Sequence, residues 1–198
     1  MKYIATLLVF IGLITFIYFG NNDSATHNVT MKSKSSKVNA GTAIDEYKGV
    51  KVYFNGSISK THGRNLTSDG YNLGLKWQCV EFVKRFYFKT YHHKMPDSYG
   101  HAKDFYDKSL TNQWNEKRGM QQYQNGNKRK PKQDMIVVFD KNAKNPFGHI
   151  AIISKTTDHE ITLVQQNWGT QSRMTLPLIQ KNGLYFIDHT DVLGWLSL

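Results

Sequence analysis

The 198-residue chain holds a single cysteine, Cys79. One thiol excludes an internal disulfide and a zinc cluster built on cysteines. There is no calcium-loop pattern, no phosphate-cradling glycine loop and no long-range repeat, so no cofactor and no metal is expected. Acidic residues are scarce: 15 Asp and Glu stand against 26 Lys and Arg, a net charge of +11. That balance suits an anionic partner such as a membrane surface, an acidic cell-wall polymer or nucleic acid, or simply a solvated basic surface. A nucleic-acid module is missing too, and no nucleic-acid partner is expected.

Aromatic mass is plentiful, with 11 Tyr, 11 Phe and 4 Trp, and the length suits one domain with a real core plus some spare chain. The spare chain lies at the start. Lys2 precedes an uncharged apolar run from Tyr3 to Phe19, close to the lower limit of about 17 residues for crossing a bilayer. The polar "NNDSATHNVT" that follows Gly20 is a poor cleavage site. Residues 1–20 are therefore expected to be an uncleaved membrane anchor rather than a cleaved signal. Lys2 argues for a cytoplasmic N-terminus, while Lys32, Lys34 and Lys37 weigh the other way. The expected arrangement is a single-pass anchor in the cell envelope with the globular part outside the cytoplasm. Residues 21–42, rich in Ser, Asn and Lys, read as a flexible linker, and the compact domain is expected over 43–198.

Within that domain "GVKVYFNG" (49–56) alternates like a strand, with Val50, Val52 and Phe54 on one face and a turn signal at Asn55-Gly56. The spacing of Val80, Val83 and Tyr87 predicts a helix from Gln78 to about Thr90, with Glu81 and Arg85 as an i,i+4 pair on the other side. A second helix is expected around 101–113. After the basic loop "NGNKRKPKQ" come strands over 135–139, 149–154, 161–167, 173–179 and 184–188. Helices first and strands after suggest an α+β fold, and the short connections imply an antiparallel sheet.

A lone cysteine is usually a small buried hydrophobe. Cys79, however, falls where the first helix starts, and orphan amides and the helix dipole there favour a thiolate. Gln78 before it is a neutral donor suited to an oxyanion, beside the cysteine's own N–H. Among eight histidines, His149 differs from the rest by opening the apolar strand "GHIAIIS". It follows Gly148, which admits a close backbone neighbour. His92-His93 reads as a surface pair rather than metal ligands. On the next strand, in "ITLVQQNWG", Gln165 and Asn167 share a face. One of them should fall near His149 to hold its ring, while Gln166 points the other way.

"GLKWQCVEFVKRFY", "DMIVVF", "GHIAII" and "VQQNWG", in that order and spacing, resemble the CHAP domain of cysteine- and histidine-dependent amidohydrolases and peptidases, over roughly residues 45–170. "KWQCVEF" is nearest in wording to the amidase domains of bacterial glutathionylspermidine synthetase/amidases. The resemblance implies a papain-like CHAP fold, with N-terminal helices packed on an antiparallel β-sheet, and hydrolysis of an amide through a thioester. It also implies Cys79 as nucleophile, His149 as general base and Gln78 at the oxyanion. The family usually has glutamate at the place of Gln165 and often asparagine at the place of Asn167. Three functions follow as expectations: an exported, membrane-anchored amidase or endopeptidase acting on peptidoglycan peptide, an amidase for glutathione–polyamine amides, or a weakened CHAP domain that binds wall peptide or a partner.

Overall fold

The computed structural model describes residues 38–198; the expected anchor and most of the expected linker lie outside them. Two short hairpins come first. Ala43–Tyr47 (β1) pairs with Val50–Tyr53 (β2) through Lys48 and Gly49, both at positive φ (47° and 76°), the backbone of a two-residue hairpin turn that follows the right-handed strand twist. Arg64–Leu66 (β3) pairs with Asn72–Leu75 (β4). Only then comes the α-helix, Cys79–Tyr91 (α1). The remaining strands are Trp114–Asn115 (β5), Met120–Gln124 (β6), Ile136–Phe139 (β7), His149–Thr156 (β8), Glu160–Val164 (β9), Arg173–Lys181 (β10), Leu184–Ile187 (β11) and Val192–Ser197 (β12). They form one antiparallel sheet in the order β11-β10-β9-β8-β7-β12-β6-β5.

The fold is thus α+β, but two sequence expectations are corrected. The domain does not begin with helices: two hairpins precede α1, which is the one α-helix among the described residues. The helix expected around 101–113 is a single 3₁₀ turn, Ala102–Phe105. Side chains capture the backbone that a longer helix would use. Buried Gln122 accepts from Asp107 N–H and donates to Asp107 O and Leu110 O. The Asp107 carboxylate takes the Ser109 N–H and hydroxyl. Local bonds of this kind compete directly with helical ones.

Alternation along β7 and β8 sends side chains to both faces, and both faces are buried. Ile136, Val138, Ile150 and Ile152 pack with Phe82, Val83 and Phe86 of α1. Val137, Phe139, Ala151 and Ile153 pack with Leu176, Leu178, Ile187 and Trp195 of the same sheet. A sheet that buries its own strands against one another must coil strongly. The α1 face was expected to be half polar. Instead Glu81, Lys84 and Arg85 are buried with the apolar residues, because β2, β4 and the loops around them cover the charged side as well.

Candidate active site

Cys79 is the first residue of α1, and Gln78, in extended conformation, precedes it as N-cap. The thiol is 8% exposed. Burial pushes it up to about 11, against the weaker pull of the Ile150, Val80 and Cys79 backbone amides. Two of those amides belong to the first helical turn, whose N–H groups have no intrahelical partner. The third follows His149 on β8, so the thiol sits against the strand that carries the imidazole. The thiolate expected from the helix start is therefore not the resting form, since loss of water outweighs the amide dipoles.

His149 opens β8 opposite Phe139 and is 5% exposed. Gly148 makes the approach possible. It sits at φ 71°, and a Cβ there would lie 2.5 Å from Phe139 O and 2.8 Å from Lys103 Cβ. The His149 Nε2 meets Gln165 Oε1 at 2.9 Å, while Gln165 donates its own amide to Gln171 O at 3.4 Å. That orientation makes Nε2 the protonated nitrogen and leaves Nδ1 with a free lone pair. Burial pulls His149 down to about 4, with Gln165 opposing. Trp168 packs on the ring at 4.9 Å and Phe139 at 5.8 Å, keeping water from the His149–Gln165 bond.

Of the two amides expected near the imidazole, Gln165 makes the contact and Asn167 does not. Asn167, at φ 64°, donates to Ile58 O and to Gln78 Oε1 and accepts from Asn55 Nδ2. Gln78 in turn donates Nε2 to Ile58 O and Lys60 O. Both of its amide hydrogens are engaged with that loop, which leaves the Cys79 N–H as the donor at the helix start. Among the described residues no three His, Cys, Asp or Glu side chains converge as a metal site; His93 meets Arg118 O instead.

Cys79, His149, Gln78 and Asn167 line one groove of about 440 Å³; Gln165 lies behind His149, 1% exposed. The arrangement defines an α+β domain in which a thiol at a helix start and an imidazole held by a side-chain amide line the same groove. The chain belongs to the CHAP domain family, whose model matches residues 69–167. Over 147 residues it is 31% identical to the bifunctional glutathionylspermidine synthetase/amidase of Escherichia coli (strain K12), covering 67% of this chain and 23% of that one. The Shigella flexneri protein of the same name gives the same figures. Trypanothione synthetase of Crithidia fasciculata is 26% identical over 148 residues, 68% of this chain and 23% of its own. This chain thus spans under a quarter of the length of these curated relatives.

Three residues of the site escaped the sequence reading. Gln166 was placed on the opposite face, and it is there, but as a clamp. It donates to Gln78 O and Glu81 Oε2 and accepts from Tyr53 N–H and Arg85 Nη2. Asn55 looked like a turn residue, yet it is buried and ties Ser57 O, Lys60 O and Asn167 together. Trp168 was part of a motif without a role. No local signal marks Gln166 or Asn55, because their partners are more than 20 residues away or in irregular loops.

Proposed function

We propose that this chain hydrolyses an amide bond through a thioester formed on Cys79. One observation carries the reading: Cys79 at the start of α1 and His149, held at Nε2 by Gln165, line the same groove. With the thiol raised and the imidazole lowered, both begin neutral. His149 Nδ1 takes the thiol proton as Sγ attacks the carbonyl carbon, so thiolate forms only in the transition state. The Cys79 N–H receives the developing oxyanion. Nδ1–H then protonates the departing amine. In the second half His149 deprotonates a water, which attacks the thioester and returns the thiol. Gln165 holds the ring, and as an amide it stabilises the imidazolium less than a carboxylate would.

For the substrate, the basic chain and its apolar segment at 3–19 favour peptidoglycan peptide met by a membrane-anchored enzyme in the cell envelope. The relatives favour a second reading, cleavage of a glutathione–polyamine amide. Mass spectrometry of purified peptidoglycan and of glutathionylspermidine, each after incubation with the full-length protein in detergent, decides between them. Release of stem-peptide fragments supports the first reading, and free glutathione the second. Both must vanish in Cys79→Ala. Absence of turnover on both, with stem peptide still bound, would leave a binding domain and overturn the hydrolase reading.

A further inference from the structure

The groove that holds Cys79 and His149 has no acidic side chain in its lining, and its one permanently charged lining residue is Arg64 on β3. Arg64 is exposed. It donates Nη1 to Asn72 Oδ1 at 2.9 Å and lies 5.6 Å from the centre of the Tyr99 ring. That leaves most of its five N–H donors unused, including a pair suited to a carboxylate. Two more cations stand behind the same wall. Lys84, nearly fully buried, donates to Asn72 O and to Ser98 O. Arg118 donates to Asp97 O, Tyr99 O and Asp104 O. Among the described residues neither makes a salt bridge. Carbonyls take most of their hydrogens, while Arg118 Nε has no partner among the described residues, and the nearby Asp97 and Asp104 offset part of the charge without forming an ion pair. Burial, followed by repulsion from Arg118 and Arg64, brings Lys84 down to about 8. Asp140 and Asp191 line a separate, smaller cleft of about 250 Å³ that also touches His149.

We propose that Arg64 is a specificity residue that receives a free carboxylate on the acyl part of the substrate. The inference rests on the reading of Cys79 as nucleophile. The acyl group stays on Sγ through the thioester, so the lining of the Cys79 groove faces it in both halves of the reaction. The amine leaves on the proton held by His149 and departs past that residue. An electropositive, partly enclosed groove concentrates an anion and orients it. Stem peptides and glutathione both carry a free carboxylate on the acyl side, and that shared chemistry is what Arg64 reads.

Charged and neutral alkylating reagents test this without a known substrate. Rates of Cys79 carboxymethylation by iodoacetate and of carbamidomethylation by iodoacetamide are measured on full-length protein at pH 9. Each is divided by the rate for a free cysteine derivative. The expected ratio favours iodoacetate by about 5- to 10-fold and falls as salt is raised. Arg64→Lys should keep most of the preference, Arg64→Ala should bring it near one, and Arg64→Glu should reverse it. Lys128→Ala, an exposed cation outside the groove, controls for the overall charge and should leave it unchanged. Protection of Cys79 from iodoacetamide by glutathione or by a stem tetrapeptide identifies the source. In either case protection should be lost in Arg64→Ala and with the carboxyl-amidated analogue. A ratio near one, or one indifferent to Arg64, overturns the inference while leaving the nucleophile intact. Failure of both reagents to reach Cys79 in folded protein overturns both.

Discussion

Burial and hydrogen bonding oppose each other at His149. The amide of Gln165 favours the imidazolium, but the loss of water is larger and holds the ring at about 4. Cys79 is raised to about 11 for the same reason. The base is therefore neutral and competent above roughly pH 4, and the thiol ionises by itself only in strong alkali. Alkylation of Cys79 by iodoacetamide is expected to climb steadily from pH 7 towards 11 with no plateau between pH 5 and 8. A flat, fast rate in that acidic window would mean a preformed thiolate–imidazolium pair. Gln165→Glu puts a carboxylate against Nε2, raises the His149 pKa and should create that plateau, with hydrolysis equal or faster. Gln165→Ala frees the ring and should lower kcat/KM by about 10- to 100-fold, about 1.4–2.8 kcal/mol. Asn167→Ala should disturb the helix-start loop rather than the imidazole, and so leave the acid limb of the pH profile in place. At this scale the thiol and the imidazole were legible from the sequence, because helix start and strand start are marked by local pattern. Their protonation was not, since it depends on burial by residues far away in the chain.

Among the elements, α1 and the β8–β9 hairpin must be held at a fixed spacing for Cys79 to face His149. Gln166 spans that gap with four bonds, reaching the Gln78 carbonyl, Glu81, Arg85 and β2. Gln166→Leu keeps the volume but leaves Glu81 Oε2 with Arg85 as its remaining donor and takes the acceptor from the half-buried Tyr53 N–H. Each group left unpaired costs about 1–3 kcal/mol. Thermal unfolding should show that loss, and kcat should fall more than KM, because the nucleophile shifts while the groove lining stays. An unchanged kcat in a destabilised but folded variant would make Gln166 merely structural. The strands over 135–139, 149–154, 173–179 and 184–188 were readable because alternation and apolar runs are local, while the one expected over 161–167 ends at Val164, short of Gln165 and Asn167. The helix expected at 101–113 failed for a long-range reason: Gln122 on β6 takes the carbonyls and amide that a helix would have used. The burial of Glu81, Lys84 and Arg85 was equally hidden, since their partners come from β2, β3, β4 and the loop at 97–99.

For the whole molecule, the last strand in sequence is not the last in space. β12 lies between β7 and β6 and joins five strands on one side to two on the other. It feeds both cores, with Leu196 against the α1 side and Val192 and Trp195 against the opposite one. Nothing in "VLGWLS" marks it as central, because its partners β6 and β7 lie more than 50 residues away in sequence. The site depends on it at one remove, since β7, its neighbour, pairs with the strand that carries His149. Trp195 is the sharpest probe. It is fully buried, and among the described residues its Nε1 has no hydrogen-bond partner. Trp195→Ala leaves a cavity and should cost about 3–5 kcal/mol. Trp195→Phe loses less volume and also removes the unsatisfied donor, so it should cost clearly less, near 1 kcal/mol. Urea unfolding of the two variants beside the parent measures the difference, and iodoacetate labelling of Cys79 follows the site. In Trp195→Ala the preference for iodoacetate should collapse at the urea concentration where the sheet melts, because the groove walls and the sheet unfold together. A midpoint unmoved by Trp195→Ala would mean that β12 is peripheral and that the two halves of the sheet stand without it.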